Sequence, residues 1–249
     1  DLVMGHSLGE YSALVAADAL SFADALLAVS ARGREMTELA VADNGLLAAV
    51  FAPLADIERI LAEAGDSDVV IANVNSTRQA VIGGGTAAMT RAMAAFGAAG
   101  FKVVQLPVSH AFHTRIVAPA SAPLRKTLEG LGLRSPRLPV IANVSGEPYP
   151  SGPAVTAQMV DQLSRQVASP VQFVKGLHTL YAAGVRLFVE VGPKKALQGF
   201  VDDVFAEQAD VYSLYTNHPK LLDEVAFNQA LCGLYAAGLG AGAATALLP

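Results

Sequence analysis

The chain has 249 residues, 53% of them hydrophobic and 16% charged, which suits one large domain or two small ones and excludes a disordered segment. A net charge of −5 with no Lys/Arg-rich stretch argues against nucleic acid as the main partner. No apolar run reaches the ~18–20 residues of a membrane span and no signal-peptide pattern is present. The single cysteine, Cys232, rules out an internal disulfide, which suits a reducing cytoplasm; its apolar neighbours on an expected helix predict a small core side chain.

In chain order, Leu2-Val3-Met4 reads as the end of a buried strand and Glu10–Ala17 as the start of a helix. Between them stands Gly5-His6-Ser7-Leu8-Gly9, a G-x-S-x-G at a strand-to-helix turn, which is the pattern of a nucleophile elbow. So tight a turn asks for glycine on both sides of the serine. It also brings the first N–H groups of the helix to the hydroxyl, where they can stabilise an oxyanion. An elbow strand normally has neighbours in a sheet, so its place at residue 1 predicts a preceding segment that this chain lacks.

Ser21-Phe22-Ala23-Asp24 reads as a capping box opening a helix to about Leu39. At ~100° per residue, Leu26, Val29, Gly33, Met36 and Ala40 share one face, and Arg32 falls inside that apolar arc. A guanidinium on a buried face needs an anion, either a structural ion-pair partner or a substrate carboxylate.

From Gly45 the pattern becomes strand 46–51, helix 55–64, strand 68–74, strand 79–82, helix 87–99 and strand 101–106. This β-α-β-β-α-β order predicts a ferredoxin-like unit inserted at 45–107. Gly83-Gly84-Gly85 lacks the Lys-Ser/Thr of a phosphate loop and reads as a plain turn. Beyond Pro107 the α/β alternation resumes. Helices are expected at 115–131, 155–166, 171–183, 196–205 and 221–237, and strands at 139–144, 186–191 and 211–215. Residues 238–244, nearly all Gly and Ala, read as a linker.

A serine nucleophile needs a base. His6 lies inside the elbow and points away, while His178 and His218 read as structural or exposed. His110 and His113 remain, in a loop that returns the insert to the main sheet, and spacing does not choose between them.

GHSLGEYSALVAA, SARGREM, VNSTRQAVIGG, SHAFHT, SPVQF and FVEVGPKKAL, in this order over residues 1 to 205, resemble the malonyl-CoA:acyl-carrier-protein transacylase family. The likeness is nearest to the acyltransferase domains of modular polyketide synthases. The resemblance implies an α/β-hydrolase-like subdomain (1–44 and 108–215), a ferredoxin-like insert (45–107) and a C-terminal helix and linker (216–249). Carried over by position, it implies Ser7 as nucleophile, His113 as base, the Gln166 carbonyl as the group that orients the base, and Leu8 as an oxyanion N–H donor. It implies Arg32 as partner of the malonyl carboxylate, with His110, Phe112, Asn75 and Asn143 lining the pocket. Phe112 and Leu8 match the malonyl rather than the methylmalonyl type. A carbonyl in place of a triad acid explains why no acid was evident. Family members also carry a Gly-Gln-Gly motif ahead of the elbow that supplies a second oxyanion N–H.

The implied reaction is ping-pong transfer from malonyl-CoA through a Ser7 ester to the phosphopantetheine thiol of an acyl carrier protein, in fatty acid or polyketide synthesis. It needs no metal and no permanently bound cofactor. Neighbouring ketosynthase and other synthase domains, a cytoplasmic setting, and no membrane or nucleic-acid partner go with it. Two rivals are an α/β-hydrolase esterase or thioesterase, and a non-catalytic scaffold fragment of a megasynthase.

Overall fold

The computed structural model describes residues 1–152 and 155–239. The chain is α/β and divides into two units, Asp1–Ala183 and Gly184–Pro249. No helix among the described residues is long and apolar enough to cross a membrane.

The first unit begins with β1 (Val3–Met4), α1 (Gly9–Ala16) and α2 (Phe22–Thr37). The Ser21 hydroxyl accepts the Asp24 N–H at 3.0 Å, closing the expected cap of α2. The buried face of α2 is Ala25, Ala28, Ala31, Arg32 and Met36, whereas Leu26 is 56% exposed. The expected arc is therefore turned away from Leu26. Its small alanines let α2 pack closely on α1, and Arg32 keeps its buried place.

Next come β2 (Leu46–Phe51), α3 (Leu54–Ala64), β3 (Val69–Ser76), β4 (Gln79–Gly84), α4 (Thr86–Ala98) and β5 (Lys102–Gln105). These four strands take the order β5-β2-β4-β3, all antiparallel, within a five-stranded sheet. Strand alternation sorts the two faces of this sheet. Ala48, Val50, Ala80 and Ile82 meet Ile57 and Ile60 of α3 and Met89, Ala92 and Phe96 of α4. Leu47, Ala49, Ala72 and Val81 instead form a cluster with Ala111, against which Phe112 and Ile116 pack. The small sheet thus supports the loop that carries both candidate histidines.

Gly83 and Gly84 lie in β4 rather than in a turn, with Gly85 as the N-cap of α4. A Cβ at Gly84 would stand 2.1 Å from the Asp68 carbonyl oxygen, so the strands could not close. The Asp43 carboxylate accepts the Thr86 N–H at 2.7 Å and the Gly45 N–H at 2.9 Å. An acidic side chain therefore already holds the end of α4 that would attract phosphate.

After this sheet a 3-10 turn (Arg115–Ala120) leads into α5 (Ser121–Glu129), followed by β6 (Val140–Ile141), α6 (Val155–Gln166), β7 (Val171–Gln172) and α7 (Phe173–Ala182). The helix expected over 115–131 is split, with Pro119 inside the 3-10 turn. The helix expected from Val171 starts at Phe173, because Val171 and Gln172 pair in parallel with Asn73 and Val74 of β3. The strand expected over 139–144 shortens to β6, which pairs in parallel with β1. Residues of α1, α2, α5 and α6 form the main apolar core, with Tyr11, Leu14, Leu124, Leu128, Met159 and Leu163 fully buried.

The second unit holds β8 (Leu187–Glu190), α8 (Ala196–Val204), β9 (Tyr212–Tyr215) and α9 (Asp223–Ala236). β8 and β9 pair in parallel, and both α8 and α9 pack on β9. These contacts hold together the unit that begins at Gly184. Cys232 is exposed, contrary to expectation: the buried line of α9 is Ala226 and Ala230, and Cys232 lies off it. Of the expected linker, only Gly238 and Leu239 fall within the described residues.

Candidate active site

The elbow joins β1 to α1. Ser7 has φ +52°, a left-handed conformation that a non-glycine residue adopts at a cost of about 1–3 kcal/mol. Its surroundings hold it there. Asn143, just beyond β6, accepts the Ser7 N–H with Oδ1 at 2.6 Å and donates Nδ2 to the Gly5 carbonyl at 2.6 Å. The glycine requirement is one-sided. A Cβ on Gly5 would stand 2.0 Å from the Gly9 backbone, whereas one on Gly9 would meet nothing within 4 Å. Leu8 is the N-cap of α1, and among the described residues its N–H meets no acceptor.

His113 is also left-handed, with φ +61°, and is only 4% exposed. Its Nδ1 lies 2.9 Å from the Gln166 carbonyl oxygen and 3.1 Å from that of Ser169. Carbonyls only accept, so Nδ1 carries the hydrogen and Nε2 is the free base. That Nε2 stands 2.7 Å from Ser7 Oγ. Of the two candidate histidines, the fold brings His113 to the serine. Burial, reinforced by the Arg32 charge, lowers its pKa to about 4, so the ring is neutral at pH 7.

The sign of this shift gives a test. The unfolded imidazole takes up its proton near pH 6.5 and the folded one only near 4, so in that window the unfolded chain binds the extra proton. Stability is present above pH 6.5 and is lost as the pH falls towards 4. Chemical denaturation at pH 7 and pH 5 is expected to show wild type losing about 2 kcal/mol more than His113→Gln.

Arg32 is 7% exposed, and Nη2 donates to Ser7 Oγ at 3.2 Å. Among the described residues it forms no ion pair, and its buried Nε has no hydrogen-bond partner. Burial lowers its pKa, while neighbouring Tyr11 and Glu10 favour the charged form. The structural ion-pair partner that the sequence allowed is absent among the described residues, and an unsatisfied cation points at the serine.

The remaining candidates are placed as follows. His110 is 4% exposed, its Nδ1 lacks a partner among the described residues, and its ring lies 6.4 Å from that of Phe112. Phe112 is half-buried and packs against both the main core and the Leu47 cluster. Asn75 bonds the His6 ring through Oδ1 at 2.8 Å and Gln79 through Nδ2 at 3.2 Å. Both asparagines, expected to line the pocket, are thus engaged as supports of the elbow and the small sheet. His6 does turn away from Ser7, towards Asn75 and the edge of Phe173.

The sequence reading missed Glu10. It is 1% exposed and accepts hydrogen bonds from Tyr149 Oη and, at 2.7 Å, from Gln166 Nε2. Burial raises its pKa. A signal was available: an acid three residues after Ser7, on a helix otherwise too apolar to leave it in water.

The comparisons fit this arrangement. The chain matches the model of the acyl transferase domain family over residues 1–231 and belongs to that family. It is 37% identical over 209 residues to the malonyl CoA-acyl carrier protein transacylase of Bacillus subtilis (strain 168), covering 82% of this chain and 64% of that protein. It thus spans less than two thirds of that relative's length. The acyltransferase domain from the second module of the salinomycin polyketide synthase superposes with a TM-score of 0.82 at 30% identity, covering 100% of this chain and 59% of that one. A malonyl-transacylase solved in complex with its type II polyketide synthase acyl-carrier protein gives a TM-score of 0.81 at 31% identity, covering 93% and 72%.

Proposed function

We propose that this chain carries the acyl-transfer site of a malonyl-CoA:acyl-carrier-protein transacylase, working in fatty acid or polyketide synthesis. The observation that carries the reading is the unpaired, buried Arg32 guanidinium 3.2 Å from a serine that is itself 2.7 Å from a neutral imidazole. A hydrolase of simple esters needs the serine and the base. It has no use for a buried cation at the acyl position.

In this mechanism His113 Nε2 takes the Ser7 proton as Oγ attacks the thioester carbonyl of malonyl-CoA. The Leu8 N–H donates to the oxyanion that forms, and the Gln166 carbonyl holds the imidazolium through Nδ1–H. CoA leaves as the thiol with the proton from His113, and malonyl remains as the Ser7 ester. The phosphopantetheine thiol of a carrier protein then enters by the reverse steps, its proton passing through His113 to Ser7. Arg32 pairs with the malonyl carboxylate, while an acetyl group leaves the cation unpaired. Phe112 and His110 bound the acyl pocket. No permanently bound cofactor takes part.

The strand order β5-β2-β4-β3 and the β-α-β-β-α-β chain order support reading 45–107 as a ferredoxin-like insert in an α/β-hydrolase-like part. The carrier protein is the proposed partner, with synthase domains beside it and the cytoplasm as the setting. The reading is tested by intact mass after separate incubation with malonyl-, methylmalonyl- and acetyl-CoA. A malonyl-sized increment, absent in Ser7→Ala and weaker or missing with the other donors, is expected. Equal labelling by all three would remove the case for Arg32, and no labelling would remove the transacylase reading for this chain.

A further inference from the structure

Glu10 has no part in the mechanism above, yet it is a buried acid inside the site. Taking a carboxylate out of water costs several kcal/mol unless its oxygens are well supplied with donors. Its oxygens meet three. Oε1 accepts from Tyr149 Oη and from the Asn143 backbone N–H at 3.3 Å, and Oε2 accepts from Gln166 Nε2 at 2.7 Å. The same Gln166 Nε2 donates to the Ser7 carbonyl at 2.8 Å.

These partners fix the orientation of the amide. The Ser7 carbonyl can only accept, so the NH₂ of Gln166 must face it, and Glu10 Oε2 must then accept as well. The Asn143 N–H can only donate, so Glu10 Oε1 accepts too. Glu10 therefore reaches both residues that hold the reacting pair. Asn143 clamps the elbow on either side of the turn, and the Gln166 carbonyl holds His113 Nδ1. Where a triad would put a carboxylate directly on the imidazole, here it stands one residue back, on the side chain whose backbone does that work.

We propose that Glu10 is a positioning residue for the Ser7–His113 pair, acting through the side-chain amide of Gln166. The proposal rests on the reading of Ser7 and His113 as nucleophile and base. Glutamine at position 10 brings an NH₂ against either the Gln166 amide or the Asn143 N–H, so one donor loses its acceptor whichever way the new amide turns. Methionine at position 166 removes the bridging amide and keeps the backbone carbonyl that faces His113.

The test is a double-mutant cycle of Glu10→Gln and Gln166→Met, read by two probes. An alkyl fluorophosphonate, which phosphonylates an activated serine with loss of fluoride, reports on the pair without any acyl donor. Malonyl-CoA reports on the transfer reaction. Each single variant is expected to lower the phosphonylation rate about 10- to 100-fold, with the malonyl-CoA KM changed by less than about twofold. The double variant is expected to be no slower than the slower single one. Additive losses, rates equal to wild type, or losses that match a fall in folded fraction by circular dichroism would overturn the proposal. If Glu10→Gln does not fold, an unchanged rate in Gln166→Met alone overturns it. Wild type that reacts with the fluorophosphonate but not with malonyl-CoA removes the donor assignment and leaves this inference to the cycle. Wild type inert to both removes the two together.

Discussion

Replacing His113 with alanine is expected to slow formation of the Ser7 malonyl ester by about 10²–10⁴-fold, the range a positioned general base contributes. The imidazole is held from both ends, by two carbonyls at Nδ1 and by Ser7 Oγ at Nε2. Its proton inventory leaves Nε2 no role except acceptance. Rapid-quench mass measurement of the ester gives the rate. The loss should sit in the acylation rate and leave the malonyl-CoA Kd unchanged, because the ring faces the serine and no donor group. The same variant of His110 is expected to act differently, through KM, since that ring lies beside Phe112 and no contact joins it to Ser7. Equal acylation by wild type and His113→Ala would remove His113 as the base.

Replacing Arg32 with alanine is expected to lower malonyl-CoA kcat/KM by about 10²–10³-fold, the usual cost of deleting one side of a buried, hydrogen-bonded charge pair. Acetyl-CoA should be accepted as well as before or better, so the preference between the two donors collapses. The comparison separates two roles of one side chain. Arg32 Nη2 also donates to Ser7 Oγ. If that bond matters more than a substrate carboxylate, the two donors will lose rate equally. Arg32→Lys keeps the charge and loses the planar fork, so it should fall between wild type and alanine in malonyl preference.

Much of this was legible one residue at a time. Ser7 was found because an elbow leaves a short local pattern. Arg32 was found because helix periodicity turned a guanidinium inward, and that held although Leu26, predicted on the same face, is exposed. The elements of 45–107 were legible because most of them are long enough to carry a pattern, so their boundaries fell within a residue or two of those observed. The two-residue strands β6 and β7 were read too long or not at all. Pairs so short carry no periodicity and exist because a neighbouring strand supplies their hydrogen bonds.

Sequence alone determined the α/β class, the serine turn and the inward cation, because each follows from local sterics and local periodicity. Tertiary structure alone decided the rest. Spacing left His110 and His113 open and only the family resemblance named His113; the fold brings that ring, held at Nδ1 by the Gln166 carbonyl of α6, to Ser7. It showed Asn143 and Asn75 engaged as supports, with the partners of their amides 69 or more positions away except for Gln79. It gave Glu10 its meaning, since the donors that face it from Asn143, Tyr149 and Gln166 converge only when β6 and α6 close over α1. Burial and the direction of long-range hydrogen bonds belong to the closed chain, and no window of residues contains them.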